Sequence, residues 1–164
     1  MKAENKSNSS IQKHLEALQA EDPEVVVKTL KEIQEKGNVA YINPLVDLGK
    51  KRSEKEIQNA LQQILFSLKI SAAHPLILEA VSKMGAHPFR KVLLSTIWEA
   101  KINAFNHLDT LTGIALEGDL YESIEVFTIF EEMEGEINEE KVLESLLLIK
   151  EFESKNSTID PAKD

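Results

Sequence analysis

The chain reads as an all-α protein, an α-solenoid in which successive helix pairs stack side by side. The first observation behind this is a repeat. Leu30 and Ile33 return as Leu61 and Ile64 31 residues later, as Leu94 and Ile97 33 further on, and as Phe127 and Phe130 after another 33. A period of roughly 32 residues is what a unit needs when it buries one apolar face against the next unit. The second observation is that proline and glycine punctuate the chain at that period. The third is the lack of a convincing strand pattern: the run Val25, Val26, Val27 continues into a helical period through Leu30 and Ile33.

Taken in order, residues 1–9 are Ser/Asn/Lys-rich and are expected to form a disordered tail. A capping helix follows over about 10–20, with Ile11, His14, Leu15 and Leu18 on one face. Helix pairs are expected at 23–36 with 39–48, 53–69 with 73–84, 88–103 with 106–117, and 119–134 with 138–154. Connections of about two to five residues favour antiparallel neighbours. Residues 10–154 thus make one domain, and 155–164 form a second polar tail. Asp22 before Pro23 is a good N-cap, and Ser53 is expected to start its helix in the same way. Pro23, Pro44, Pro75 and Pro88 fall in first turns, where a missing N–H costs nothing. Gly37, Gly49, Gly85, Gly118 and Gly135 sit where apolar periods stop and read as helix ends. Gly113 lies inside a helical pattern, so a closely approaching neighbour is expected beside it.

The segment DPEVVVKTLKEI at 22–33 resembles the first helix of a HEAT-type repeat, through Asp22, Pro23, Val27, Lys28, Leu30 and Ile33. YINPLVDL at 41–48 and AAHPLILEAV at 72–81 are similar to HEAT second helices, and Pro44-Leu45 and Pro75-Leu76 are again 31 apart. The third unit has His107-Leu108 in place of proline-leucine, and the fourth keeps only the periodicity. The resemblance covers 22–154. It implies a right-handed armadillo-like superhelix of four pairs and, for function, a scaffold or adaptor rather than one defined activity. The competing repeat at this period, the tetratricopeptide, needs a Trp/Leu/Gly/Tyr pattern that this chain does not carry.

Composition narrows the function. The chain is 42% hydrophobic and 29% charged, ordinary for a folded domain, and a chain of this length can bury roughly two thirds of its unfolded surface. There is no cysteine, hence no disulfide or thiolate metal site, and no apolar h-region near the start, so a cytoplasmic location is the expectation. The net charge of −9 is unevenly spread. Residues 1–52 carry nine basic against eight acidic side chains, residues 53–107 six against four, and residues 108–164 four against sixteen. A field of that sign at one end disfavours nucleic acid and anionic membranes; it reads first as a solubilising face on a terminal repeat, and alternatively as a site that steers basic partners toward it.

Candidate chemistry is thin. His14, His74, His87 and His107 are too scattered for a metal motif, and His74 and His87 read as polar helix-start residues before proline. Glu131, Glu132, Glu134, Glu136, Glu139 and Glu140 surround Gly135 without the spacing of a calcium loop, and read as a solvated acidic turn. Glu125 is expected to face outward, because an inward carboxylate would need a cationic partner. Trp98, the only tryptophan, sits at core spacing. Arg90 with Lys91, and Lys50-Lys51-Arg52, are the only basic clusters. HEAT-like alkylpurine DNA glycosylases need a basic, aromatic concave surface that is missing here. A relation to HEAT-like bilin-handling proteins finds no specific support either. No nucleophile elbow, P-loop or dinucleotide fingerprint is present, so neither an enzyme nor a cofactor is expected.

The expectation is a non-enzymatic protein-interaction or scaffold module. Second helices line the concave face in solenoids of this type, which makes Asp47, Glu79, Lys83, Asp109 and Glu117 the candidate groove residues. The alternative surface is the last helix, where Val142, Leu143, Leu146, Leu147 and Ile149 make a broad stripe and Leu148 and Phe152 lie well round from its centre. A terminal repeat should be polar outside. Either Leu148 and Phe152 fold against the preceding pair, or they form a sticky end through which the chain dimerises.

Overall fold

Several helix starts carry a local reason. Asp22 accepts the Glu24 N–H at 2.9 Å and Pro23 opens the next helix. The His87 ring nitrogen accepts the Phe89 N–H at 3.1 Å ahead of Pro88. Asp119 and Glu122 form a reciprocal capping box. A computed structural model describes residues 2–157 and, among them, is all-helical with no strand. The helices are α1 (Lys2–Ala17), α2 (Pro23–Lys36), α3 (Ile42–Lys51), α4 (Lys55–Phe66), α5 (His74–Lys83), α6 (Pro88–Glu99), α7 (Leu108–Glu117), α8 (Leu120–Glu132) and α9 (Glu139–Asn156). A single turn of 3₁₀-helix precedes α3, α5 and α7, while Asn138 caps α9 directly.

Several local expectations need correcting. Helix α1 begins at Lys2, so residues 2–9 continue a helix instead of forming a tail. At the other end α9 runs to Asn156, and residues 158–164 of the expected second tail lie outside the described residues. Ser53 is not a cap. Helix α4 starts at Lys55 because Arg52 organises the connector, donating to the Ala20 and Glu21 carbonyls at 2.8 and 3.0 Å and to Glu54 at 2.8 Å. Gly49 does not end its helix. It lies inside α3, and a Cβ there would run into the ring of Phe89 from α6. Gly113 has no close neighbour at all: nothing lies within 4 Å of where its Cβ would be.

The closest helix approaches follow chain order. The first helices of the pairs pack α2 on α4, α4 on α6 and α6 on α8. Among the second helices α3 packs on α5 and α7 on α9, and the hairpins α3–α4, α5–α6 and α7–α8 tie the two sets together. Polar cross-links repeat the sequence period. Arg90 reaches Glu122, Lys101 reaches Glu132, Asn138 reaches Asn106 and Lys141 reaches Asp109, each 31 or 32 residues apart. Helices α5 and α7 lack a comparable approach, and a cleft of about 420 Å³ opens between them, with Arg90 and Gly113 in its lining.

One apolar core runs from Leu18 to Ile129. The repeat-equivalent sets Val26/Leu30/Ile33, Ile57/Leu61/Ile64 and Leu94/Ile97 are all buried within it. The fourth set breaks the series: Phe127 is 67% and Phe130 37% exposed. What α8 buries is Glu122, Val126 and Ile129, the stripe turned toward α6. Helix α9 buries no residue fully.

Candidate functional site

The α6–α8 junction explains how the exposed end is held. Arg90 lies one repeat after Ile57 and points at α8. Its Nε and NH2 donate to the two Glu122 carboxylate oxygens at 2.6 and 2.9 Å, and its NH1 donates to the Met84 carbonyl at 3.2 Å. Both side chains are buried. The guanidinium's direct bonds outweigh burial and hold the Glu122 carboxyl below the usual carboxylate range. The same carboxylate accepts the Asp119 N–H at 3.3 Å, so one group serves both the helix cap and the ion pair. Lys91 pairs with Asp119 at 2.5 Å and pulls its pKa down. Sequence reading singled out Arg90 and Lys91 as a basic cluster. They are instead the anchors of α8, through Glu122 and Asp119, two residues the sequence reading did not single out.

Trp98 is half-buried against the core, and its indole N–H donates to Glu125 at 2.7 Å. Glu125 is therefore partnered across the α6–α8 interface, where free outward exposure was expected. Beyond it Lys101, at φ 54°, occupies the left-handed position of a Schellman cap: the Ile102 N–H reaches the Ile97 carbonyl at 2.8 Å and the Lys101 N–H reaches Trp98 at 3.2 Å. Lys101 also pairs with Glu132 at 2.6 Å.

The outward side of α8 is apolar. Leu120, Ile124 and Phe127, at i, i+4 and i+7, share the face opposite the buried stripe and are 72, 51 and 67% exposed, with Tyr121 and Phe130 on its flanks. On α9, Leu143, Leu146 and Leu147 are likewise exposed. Every exposed large apolar side chain except Val25 lies at or beyond Leu120 among the described residues. Leu148 and Phe152 fall on the side of α9 that carries Lys141 and Ser145, toward α7. They nonetheless stay 36 and 41% exposed, because α9 has 18 residues and α7 only 10. With Lys141 bonded to Asp109 near both helix starts, α9 overshoots α7 by about 12 Å, taking about 1.5 Å per residue.

The groove residues divide. Asp47, Glu79 and Lys83 line one trough of about 320 Å³ between α3 and α5. There Lys83 is bonded to Glu79, and Asp47 pairs with Lys50 at 3.7 Å, so the trough is largely self-neutralised. Lys83 and Glu117 line the separate α5–α7 cleft. Asp109 is not an exposed groove position: Lys141 covers it at 3.2 Å and its Oδ1 is buried without a partner. His14 is buried, with Nδ1 2.7 Å from the Tyr41 hydroxyl and Nε2 3.3 Å from Glu32. No group of three or more metal-ligating side chains comes together among the described residues, and no single helix there is long and apolar enough to cross a membrane.

Comparison of the chain with protein-family models, with curated proteins and with solved structures returns no match.

Proposed function

We propose that the protein is a short α-solenoid of four HEAT-like helix pairs behind a capping helix, and that it works as a non-enzymatic protein-interaction module. Sequential packing of α2, α4, α6 and α8 and the period-spaced polar cross-links support the solenoid reading. The observation that carries the function is the uncovered apolar end formed by α8 and α9, where Leu120, Ile124, Phe127, Leu143 and Leu147 are more than half exposed. Exposed large apolar side chains gathered on two successive helices mark a contact site. The α3–α5 trough is the weaker candidate, since its charges already satisfy one another.

A second reading, self-association through the same end, draws on the outward leucines of α9. One experiment tests the first reading, and sedimentation of the wild type tests the second, which a monomer at all practical concentrations would exclude. Partner recovery from a cell extract is compared for wild type, for Ile124→Glu/Phe127→Glu and for Asp47→Lys/Glu79→Lys. Loss of partners from the first variant and retention by the second is expected. Unchanged recovery of every partner by both variants would overturn the module.

A further inference from the structure

We propose that the α8–α9 end receives a basic amphipathic helix from a partner protein, laid against α8 as each first helix is laid against the one before it. The proposal rests on the interaction-module reading and names the partner's chemistry.

The helical form of the occupant follows from register. Leu30 and Ile33, Leu61 and Ile64, and Leu94 and Ile97 are buried, and α4, α6 and α8 respectively pack on the helices that carry them. Arg90, on the same face as Leu94 and Ile97, makes its bonds to α8 and so fixes the direction in which that face looks. Phe127 and Phe130 hold the equivalent positions in α8, and no following helix covers them among the described residues. The stripe from Leu120 to Phe127 spans about 11 Å, two turns of a facing helix. A strand or an irregular peptide would leave backbone groups unpaired against this apolar surface, whereas a helix satisfies its own.

The sign of the occupant follows from charge. Glu131 continues the α8 stripe one turn beyond Phe127. Glu139, Glu140, Glu151 and Glu153 lie along α9, whose lysines are Lys150, Lys155 and Lys141, the last already paired with Asp109 and Glu144. None of these five carboxylates is in an ion pair among the described residues. A second copy of the chain would bring two such ends together, like charge on like charge, and an anionic membrane would be repelled for the same reason. Lysine or arginine beside the apolar stripe of the incoming helix meets the carboxylates instead.

The test titrates the full chain with a peptide of about 18 residues that places leucine at i, i+3, i+4 and i+7 and lysine on the flanks, long enough to be helical when docked. The same peptide with glutamate flanks and a scrambled lysine peptide are the controls. The lysine helix is expected to bind, to weaken as salt rises, and to lose at least about tenfold in affinity to Ile124→Glu/Phe127→Glu. Both substituted side chains are exposed, and circular dichroism checks that the variant stays folded. Equal binding of the glutamate helix, binding unaffected by the double variant, or no binding of the lysine helix would each overturn the proposal. So would sedimentation showing a wild-type dimer that the double variant dissolves. If partners are still lost from the variant in the extract experiment while the lysine helix fails to bind, the interaction module stands and the basic helix falls.

Discussion

Helices α6 and α8 occupy successive places in the same layer and share a sequence register, yet they end up in opposite environments. Helix α6 is packed on both sides, by α4 and by α8, and Phe89, Leu93, Leu94 and Ile97 are all buried. Helix α8 is packed by α6 and α7 and leaves Leu120, Ile124 and Phe127 in solvent. The lesson is that a hydrophobic period specifies which positions want a neighbour, not whether the chain supplies one. Helices α2 to α7 close a core among themselves. Helix α8 carries apolar positions outward, with carboxylates around them.

The comparison breaks hardest at the joint between the two helices. Glu122→Ala leaves the Arg90 guanidinium buried without its main partner and is expected to cost about 3–5 kcal/mol in urea unfolding. The pH dependence follows from the direction of the shift. The Glu122 carboxyl is held below its unfolded value of about 4.3. Its stabilisation is complete above that value and is lost as pH falls through the lower folded one. Wild type should therefore lose an acid-dependent share of stability that the variant lacks. Parallel curves for the two would deny the ion pair that role.

Next in size is the contrast itself. Leu94→Ala removes a fully buried side chain and should cost about 2–5 kcal/mol. Phe127→Ala, at the equivalent position one repeat on, should change stability by less than about 0.5 kcal/mol. Comparable losses in the isolated protein would mean that the end is covered after all. A smaller pair of substitutions sharpens the point for glycine. Gly49→Ala must push the Phe89 ring or the α3 backbone and should cost about 1–3 kcal/mol. Gly113→Ala meets open space and should stabilise by up to about 1 kcal/mol. The smallest effect belongs to Lys101→Gly. It relieves the left-handed backbone at the end of α6 and should raise the urea midpoint slightly even though the Glu132 pair is lost.

Much of the helix pattern was legible because its causes are local. Asp22, the four prolines and the spacing of Leu30, Leu61 and Leu94 act through the chain within a turn or two, and the helices form where those signals stand. The exposure of Phe127 and Phe130 was not legible, because burial depends on a helix some 30 residues further on, and none covers them among the described residues. Glu122 was hidden by a double role: a capping box explains a glutamate at that position completely, and only the distance to Arg90 reveals the second use. Gly49 and Gly113 were misread in opposite directions for one reason. A glycine's meaning inside a helix lies in what approaches it, which is a property of other helices. Of the groove residues, Asp47, Glu79 and Lys83 line one trough between α3 and α5, while Asp109 is covered by Lys141 from α9.

The seat that Gly49 makes for Phe89 reaches from the second helix of the first pair to the first helix of the third. In a purely nearest-neighbour array each unit can melt from an end while the remainder stays intact. Here a ring from α6 is locked into the backbone of α3, three helices upstream. Loosening of the early units must therefore be felt at α6, and through Arg90 at the base of α8. Amide protons from α3 to α6 should exchange with solvent as one cooperative block, while those of α9 exchange far sooner.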